Sequence, residues 1–247
     1  MFTAVASADA LSKTLDPVGV LVDECKIRLD EDGLRISAMD PATVGVVELS
    51  LEAGAFESYE ADGGVVGVDV DRLDDVVEMA DTGQLVHLEL DAETRQLRIR
   101  IGGLEYTLAL VDPDAIRQEP DLDSIELPAS AVVEGRQFGR AIDAAEMVSN
   151  HVAVGVDEVE EQLYVNAEGD VDSVHYELPA DDLVDFQPAS AHSLFSLDYL
   201  TEMNRVVPDD AAVTLELGEE FPMRLGYEFA DGEGKALYFL APRIQSR

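Results

Sequence analysis

The stretch Ala131-Val132-Val133-Glu134-Gly135-Arg136-Gln137-Phe138-Gly139-Arg140-Ala141-Ile142-Asp143-Ala144-Ala145-Glu146-Met147-Val148 decides the architecture. It opens as a short strand over Ala131–Glu134. It then changes period: Phe138, Ala141, Ile142, Ala145 and Val148 share one face of a helix over Arg136–Val148. The same switch occurs about 130 residues earlier, where a strand at Phe2–Ala6 runs into a helix at Ala8–Leu15. Ser7 is placed to cap that first helix, and Pro17 is expected to stop it.

Working outward, each copy continues in the same order. In the first, strands follow at Lys26–Leu29, Leu34–Met39, Val44–Leu51 and Val65–Val68, then a helix at Arg72–Ala80. Strands at Leu85–Leu90, Gln96–Ile101 and Glu105–Val111 complete it. In the second, strands follow at His151–Val156, Glu161–Ala167, Val171–Leu178 and Ser193–Ser196, then a helix at Tyr199–Val206. Strands at Ala212–Leu217, Met223–Phe229 and Ala236–Leu240 close it. Strand assignments rest on alternation, as in Val86, Leu88 and Leu90 against His87 and Glu89. Glu31-Asp32-Gly33, Gly102-Gly103 and Asp231-Gly232 read as turns.

Asp112–Asp121 is polar, bounded by prolines and without periodicity, and reads as a surface linker. The division is therefore a first domain over residues 1–111, a linker over 112–127 and a second domain over 128–247. Short antiparallel runs with two helices per copy make an α+β protein and exclude a doubly wound parallel sheet.

Composition narrows the class. The 247 residues include 53 Asp+Glu against 16 Lys+Arg, a formal net charge of −37. Hydrophobic residues make up 47%, too many for a disordered chain. The carboxylates are dispersed among apolar residues, as in Asp69-Val70-Asp71-Arg72-Leu73-Asp74-Asp75. A surface so acidic suits molar salt, where the Debye length is about 3 Å and like charges are screened. The rival reading is an acidic protein that binds basic partners. No apolar run approaches the ~20 residues of a membrane span. No basic-then-apolar leader opens the chain. The lone Cys25 excludes an intrachain disulfide or a multi-cysteine metal site and fits a reducing, cytoplasmic setting.

Catalytic signals are missing. There is no Gly-x-Ser-x-Gly elbow and no phosphate loop. His87, His151 and His175 fall within or at the ends of strands, and His192 completes the set. Asp30-Glu31-Asp32-Gly33 opens like a calcium loop but lacks the closing Glu, so it reads as a hairpin turn. Among 53 carboxylates some pair always looks catalytic, so a paired-acid argument carries little weight.

Local motifs decide among the remaining classes. Asp32-Gly33-Leu34-Arg35-Ile36-Ser37-Ala38-Met39-Asp40-Pro41 resembles the N-terminal signature of DNA sliding clamps of the proliferating cell nuclear antigen family. Leu237-Tyr238-Phe239-Leu240-Ala241-Pro242-Arg243-Ile244 resembles that family's ending, and Val213–Leu217 through Pro222 the strands before it. The resemblance covers essentially the whole chain and is of the archaeal, extremely halophilic kind.

That resemblance implies two similar clamp domains per chain, with helices lining a ring and antiparallel sheets outside. It implies a DNA polymerase processivity factor and not an enzyme: a homotrimer encircling double-stranded DNA and tethering replication and repair enzymes. Polymerase, clamp loader, flap endonuclease and ligase would dock in a hydrophobic pocket under the linker. Carried onto this chain, the pocket uses Met39, Val44, Val46, Leu122, Ile125, Pro222, Ala241, Pro242 and Ile244. Strand Leu104–Val111 of one subunit would pair with Val171–Leu178 of the next, through Tyr106, Leu108, Leu110, Val174 and Tyr176. The DNA-facing candidates are Lys13, Arg72, Arg136, Arg140 and Arg205 on the helices. These helices and their ends also carry Asp9, Asp16, Asp71, Asp74, Asp75, Glu78, Asp81, Asp143, Glu146, Asp198 and Glu202, so the positive track is thin for the family. The expectation is no cofactor and no fixed metal, loosely bound salt cations, no membrane, and a cytoplasmic, nucleoid-associated location. The alternatives are a subunit of a heterotrimeric clamp and a carboxylate-dependent metal hydrolase.

Overall fold

In the computed structural model, which describes residues 1–118 and 125–243, strand Phe2–Ser7 (β1) leads directly into helix Ala8–Gly19 (α1). The Ser7 hydroxyl caps that helix by accepting the Ala10 N–H at 3.2 Å. Pro17 does not end it. The helix carries Pro17 buried in its last turn, and the Val20 N–H still reaches the Asp16 carbonyl at 3.3 Å. So close to the end, the proline removes one helical hydrogen bond and leaves the turns on either side intact.

The chain divides into two units. The first comprises Met1–Pro41, Val46–Pro120 and Glu228–Ala236. The second comprises Ala42–Gly45, Asp121–Tyr227 and Leu237–Arg247. Polar residues 112–118 thus fold with the first unit. The Val111 N–H bonds the Gly67 carbonyl at 2.9 Å, and a 3₁₀ turn follows at Pro113–Ala115.

After α1 the first unit contains β2 (Glu24–Asp30), β3 (Gly33–Met39), β4 (Gly45–Glu52), β5 (Ser58–Ala61), β6 (Gly64–Asp69), helix α2 (Val70–Val77), β7 (Leu85–Asp91), β8 (Gln96–Ile101) and β9 (Leu104–Ala109). Its strands run β5-β1-β7-β8-β9 and β4-β3-β2-β6. The second unit contains β10 (Ala129–Glu134), helix α3 (Gly135–Glu146), β11 (His151–Asp157), β12 (Gln162–Glu168), β13 (Ser173–Pro179), β14 (Asp185–Gln187), β15 (Ala191–Ser196), helix α4 (Leu197–Arg205), β16 (Ala212–Leu217), β17 (Met223–Phe229) and β18 (Gly234–Leu240). Its orders are β14-β10-β16-β17-β18 and β13-β12-β11-β15, the first unit's orders repeated strand for strand.

Strands β5 and β14 are absent from the sequence reading. They are short and largely polar, and they form only because β1 and β10 offer them a ladder, with Phe2 opposite Ala61 and Ala131 opposite Phe186. The Asp30–Gly33 stretch is the expected two-residue hairpin turn, closed by the Asp32 N–H on the Asp30 carboxylate at 3.1 Å. Gly33 has φ +149°, and a Cβ there would sit 2.2 Å from the Leu51 carbonyl oxygen.

Helix periodicity and strand alternation converge on one core per unit. In the first, Leu11, Leu15 and Val18 of α1 and Leu73, Val76 and Val77 of α2 are buried, as are Ile27, Ile36, Leu88 and Leu97 of the strands. In the second, Phe138, Ile142, Leu200 and Met203 are fully enclosed, as are Val154, Leu163 and Leu215. Each such side chain contributes about 1.5–3 kcal/mol relative to exposure.

Candidate functional site

The helix surfaces present few free cations. In the first unit Lys13 projects from α1, exposed, and makes no ion pair among the described residues. Arg72 turns back over its own helix cap, 3.2 Å from the Asp69 carboxylate, which also accepts the Arg72 N–H at 3.0 Å. In the second unit Arg136 reaches Asp209 at 3.4 Å and Arg205 reaches Glu202 at 3.0 Å. Arg140 is exposed, with no ion pair among the described residues. Of the five basic candidates, three are partly neutralised and two are open.

Carboxylates press on one another beside Lys13's helix. Burial, then the charges of Asp16, Glu78, Asp75 and Asp71, raise the Asp74 pKa from 3.8 to about 6. The Asp74 Oδ1 is shielded from solvent and has no hydrogen-bond partner among the described residues.

A groove of about 280 Å³ opens in the first unit, lined by Val22, Ser37, Met39, Pro41, Ile116 and Arg117 among others. Met39 is half-buried there. Val46 lies opposite Met39 in the β3–β4 ladder and so on the same sheet face, 7% exposed, while alternation turns Val47, Leu49 and Leu51 to the core. Ile116 and Arg117 were not singled out from sequence. Arg117 Nη1 donates to the Asp40 and Pro41 carbonyls at 3.1 and 3.2 Å, which fastens this wall of the groove.

In the second unit the half-buried Ile125, Pro222, Ala241 and Pro242 lie at segment ends. The Ala241 N–H bonds the carbonyl of the half-buried Val44 at 2.8 Å, and the Arg243 N–H bonds Leu194 at 2.7 Å. Leu122 and Ile244 lie outside the described residues. Phe221, also missed from sequence, is 52% exposed beside Pro222. Its one legible signal was an aromatic residue in a turn after two glutamates.

Strand β9 ends one sheet order and β13 another. Tyr106 is exposed, while Leu110, Val174 and Tyr176 are half-buried. Leu108 is 2% exposed and fills its own unit's core, so what β9 offers there is backbone and not that side chain.

No group of metal-ligating side chains is assembled among the described residues. Three histidines are exposed: His87 on β7, His175 against Asn166 and Glu177, and His192 2.8 Å from the Tyr164 hydroxyl. Burial pushes the Cys25 thiol up to about 12, which keeps it protonated and unreactive. No helix among the described residues is long and apolar enough to cross a membrane.

Residues 1–103 match the family model described as proliferating cell nuclear antigen, N-terminal domain. The chain is 62% identical over 246 residues to a DNA polymerase sliding clamp of Haloarcula marismortui, covering 100% of both. It is 44% identical to one of Methanothrix thermoacetophila, covering 99% of both. Among solved structures it matches the one described as the C-terminal region of FEN-1 bound to A. fulgidus PCNA, with TM-score 0.94, 36% identity and full coverage of both chains. The PCNA of Thermococcus kodakaraensis matches with TM-score 0.89 and 26% identity, over 98% of this chain and 100% of that one.

Proposed function

The chain belongs to the proliferating cell nuclear antigen family of DNA polymerase sliding clamps, and from that membership we propose a homotrimeric ring that encircles duplex DNA and performs no chemistry of its own. Tethering raises the effective concentration of a bound enzyme, which stays near the template after it lets go. The observation that carries the ring is the repeated strand order with its two sheet ends, β9 and β13. Pairing β9 of one subunit with β13 of the next removes two unpaired edges per subunit and closes a symmetric assembly.

The inner surface would be the helix pairs. Lys13 and Arg140 supply the open positive charge, and loosely bound salt cations supplement it near Asp74. In molar salt, affinity driven by counterion release is nearly abolished, so retention on DNA is by encirclement. Polymerase, clamp loader, flap endonuclease and ligase would dock through apolar contacts, which salt does not screen. Met39, Ile116, Pro222 and Phe221 are the side chains offered. The setting is cytoplasmic, at the nucleoid.

Light scattering in about 2 M KCl and again at low salt tests this. The expected mass in high salt is three times the 26.8 kDa of one chain, with dissociation or unfolding as salt is removed. A monomer at every salt would replace the homotrimer by a clamp built from several different chains.

A further inference from the structure

We propose that Ser193 is a positioning residue for client docking, holding the turn that presents Phe221; this rests on the reading of the chain as a client-binding clamp. Ser193 lies on β15 and is 2% exposed, a rare buried hydroxyl in an apolar core. Its Oγ lies 2.9 Å from the Phe221 carbonyl and 3.2 Å from the Gly218 carbonyl, with one proton to donate, and accepts the Phe221 N–H at 3.1 Å. The neighbouring His192 carbonyl accepts the Glu220 N–H at 2.9 Å.

The turn from Gly218 to Pro222 belongs to neither β16 nor β17. Glu220 sits at φ +53°, a conformation a non-glycine residue keeps only when its surroundings impose it. Tied at both ends to β15, this backbone holds the Phe221 ring 52% exposed beside two carboxylates. With the backbone that carries it already ordered, this exposed ring meets an apolar or aromatic side chain of a partner peptide at a reduced ordering cost. The neighbouring surface is apolar too: a Cβ on Gly218 would touch Phe221, Leu127 and Pro128 within 3.5 Å.

The test is a double-mutant cycle in about 2 M KCl, with a fluorescein-labelled peptide carrying one aliphatic and two adjacent aromatic side chains. Ser193→Ala and Phe221→Ala should each weaken binding about tenfold, and the double variant should bind no worse than Phe221→Ala alone. Independent, multiplying losses would overturn the proposal, as would a folded Ser193→Ala that binds like the wild type. An unfolded Ser193→Ala also overturns it, since the serine would then hold the whole unit. Amide exchange in the wild type is a second arm that needs no variant: the Phe221 N–H should be strongly protected, and free exchange overturns the proposal. If the wild type itself does not bind the peptide, the client-docking reading fails with it. Binding by the wild type with Ser193→Ala unaffected defeats only the role of Ser193.

Discussion

The Arg224 guanidinium holds the backbone carbonyl of Ile125 at 3.1 Å, tying the end of the linker to strand β17. The same group pairs with Glu216 at 2.8 Å and lies 4.9 Å from the centroid of the Phe239 ring. A planar fork is needed to serve a carboxylate, a carbonyl and a ring face together. Arg224→Lys should therefore lower stability by about 1–2 kcal/mol despite its retained charge. Thermal melting in high salt checks this, and an unchanged midpoint would show that charge alone matters.

Asp74 makes the first unit's stability depend on pH. Its folded pKa lies above the ordinary 3.8, at about 6. The native state therefore binds more protons than the unfolded state between those values, and stability falls as pH rises through that interval. Asp74→Asn should stabilise the protein at neutral pH by about 1 kcal/mol, discounted because the side chain is half in water. The gain should shrink in molar salt, where repulsion from Asp16, Glu78, Asp75 and Asp71 is screened. Melting curves of both proteins across that pH interval, at two salt concentrations, would expose a wrong sign.

Gly33→Ala should be among the most damaging single substitutions. The added Cβ would lie 2.2 Å from the Leu51 carbonyl oxygen and 2.9 Å from the Glu52 Cα, both backbone atoms that cannot swing aside. A loss above about 2 kcal/mol is expected in denaturant titration. Wild-type stability would mean that β3 and β4 can separate at no cost.

Retention by encirclement has a topological signature. Clamps loaded on circular DNA in high salt should stay until the circle is cut, then slide off. Lys13→Ala with Arg140→Ala should leave that residence unchanged in molar salt, where counterion release contributes almost nothing. Departure from intact circles as fast as from cut ones would dispose of the ring mechanism.

Met39→Ala with Pro242→Ala should weaken polymerase stimulation at least about fivefold while the oligomer mass is kept. Full stimulation would remove these residues from the docking surface.

The halves of the molecule were legible because their signals are local and periodic. The stripe of Phe138, Ala141, Ile142 and Ala145 needs only the helical period, and all four are buried. Asp30–Gly33 needs only two strands and a turn residue. The Ser7 cap was likewise readable, because it acts across three residues. The proposed docking residues were legible only in part: Met39 and Pro222 stood inside recognisable motifs, whereas Ile116 and Arg117 of the first unit and Phe221 of the second sit in aperiodic segments where no pattern marks them.

By itself the sequence determined the two-copy α+β plan, the antiparallel strands, the family and the acidic surface, since composition, short-range periodicity and local motifs carry all of these. Only the tertiary structure decided which distant groups meet. Strands β5 and β14 exist because β1 and β10 lie beside them. Pro17 stays helical because it falls in a last turn. Arg72, Arg136 and Arg205 are engaged because carboxylates reach them, while Lys13 and Arg140 remain open. Ser193 meets Phe221 across 28 residues of chain. Such pairings depend on where folding delivers each backbone, and no local period records that.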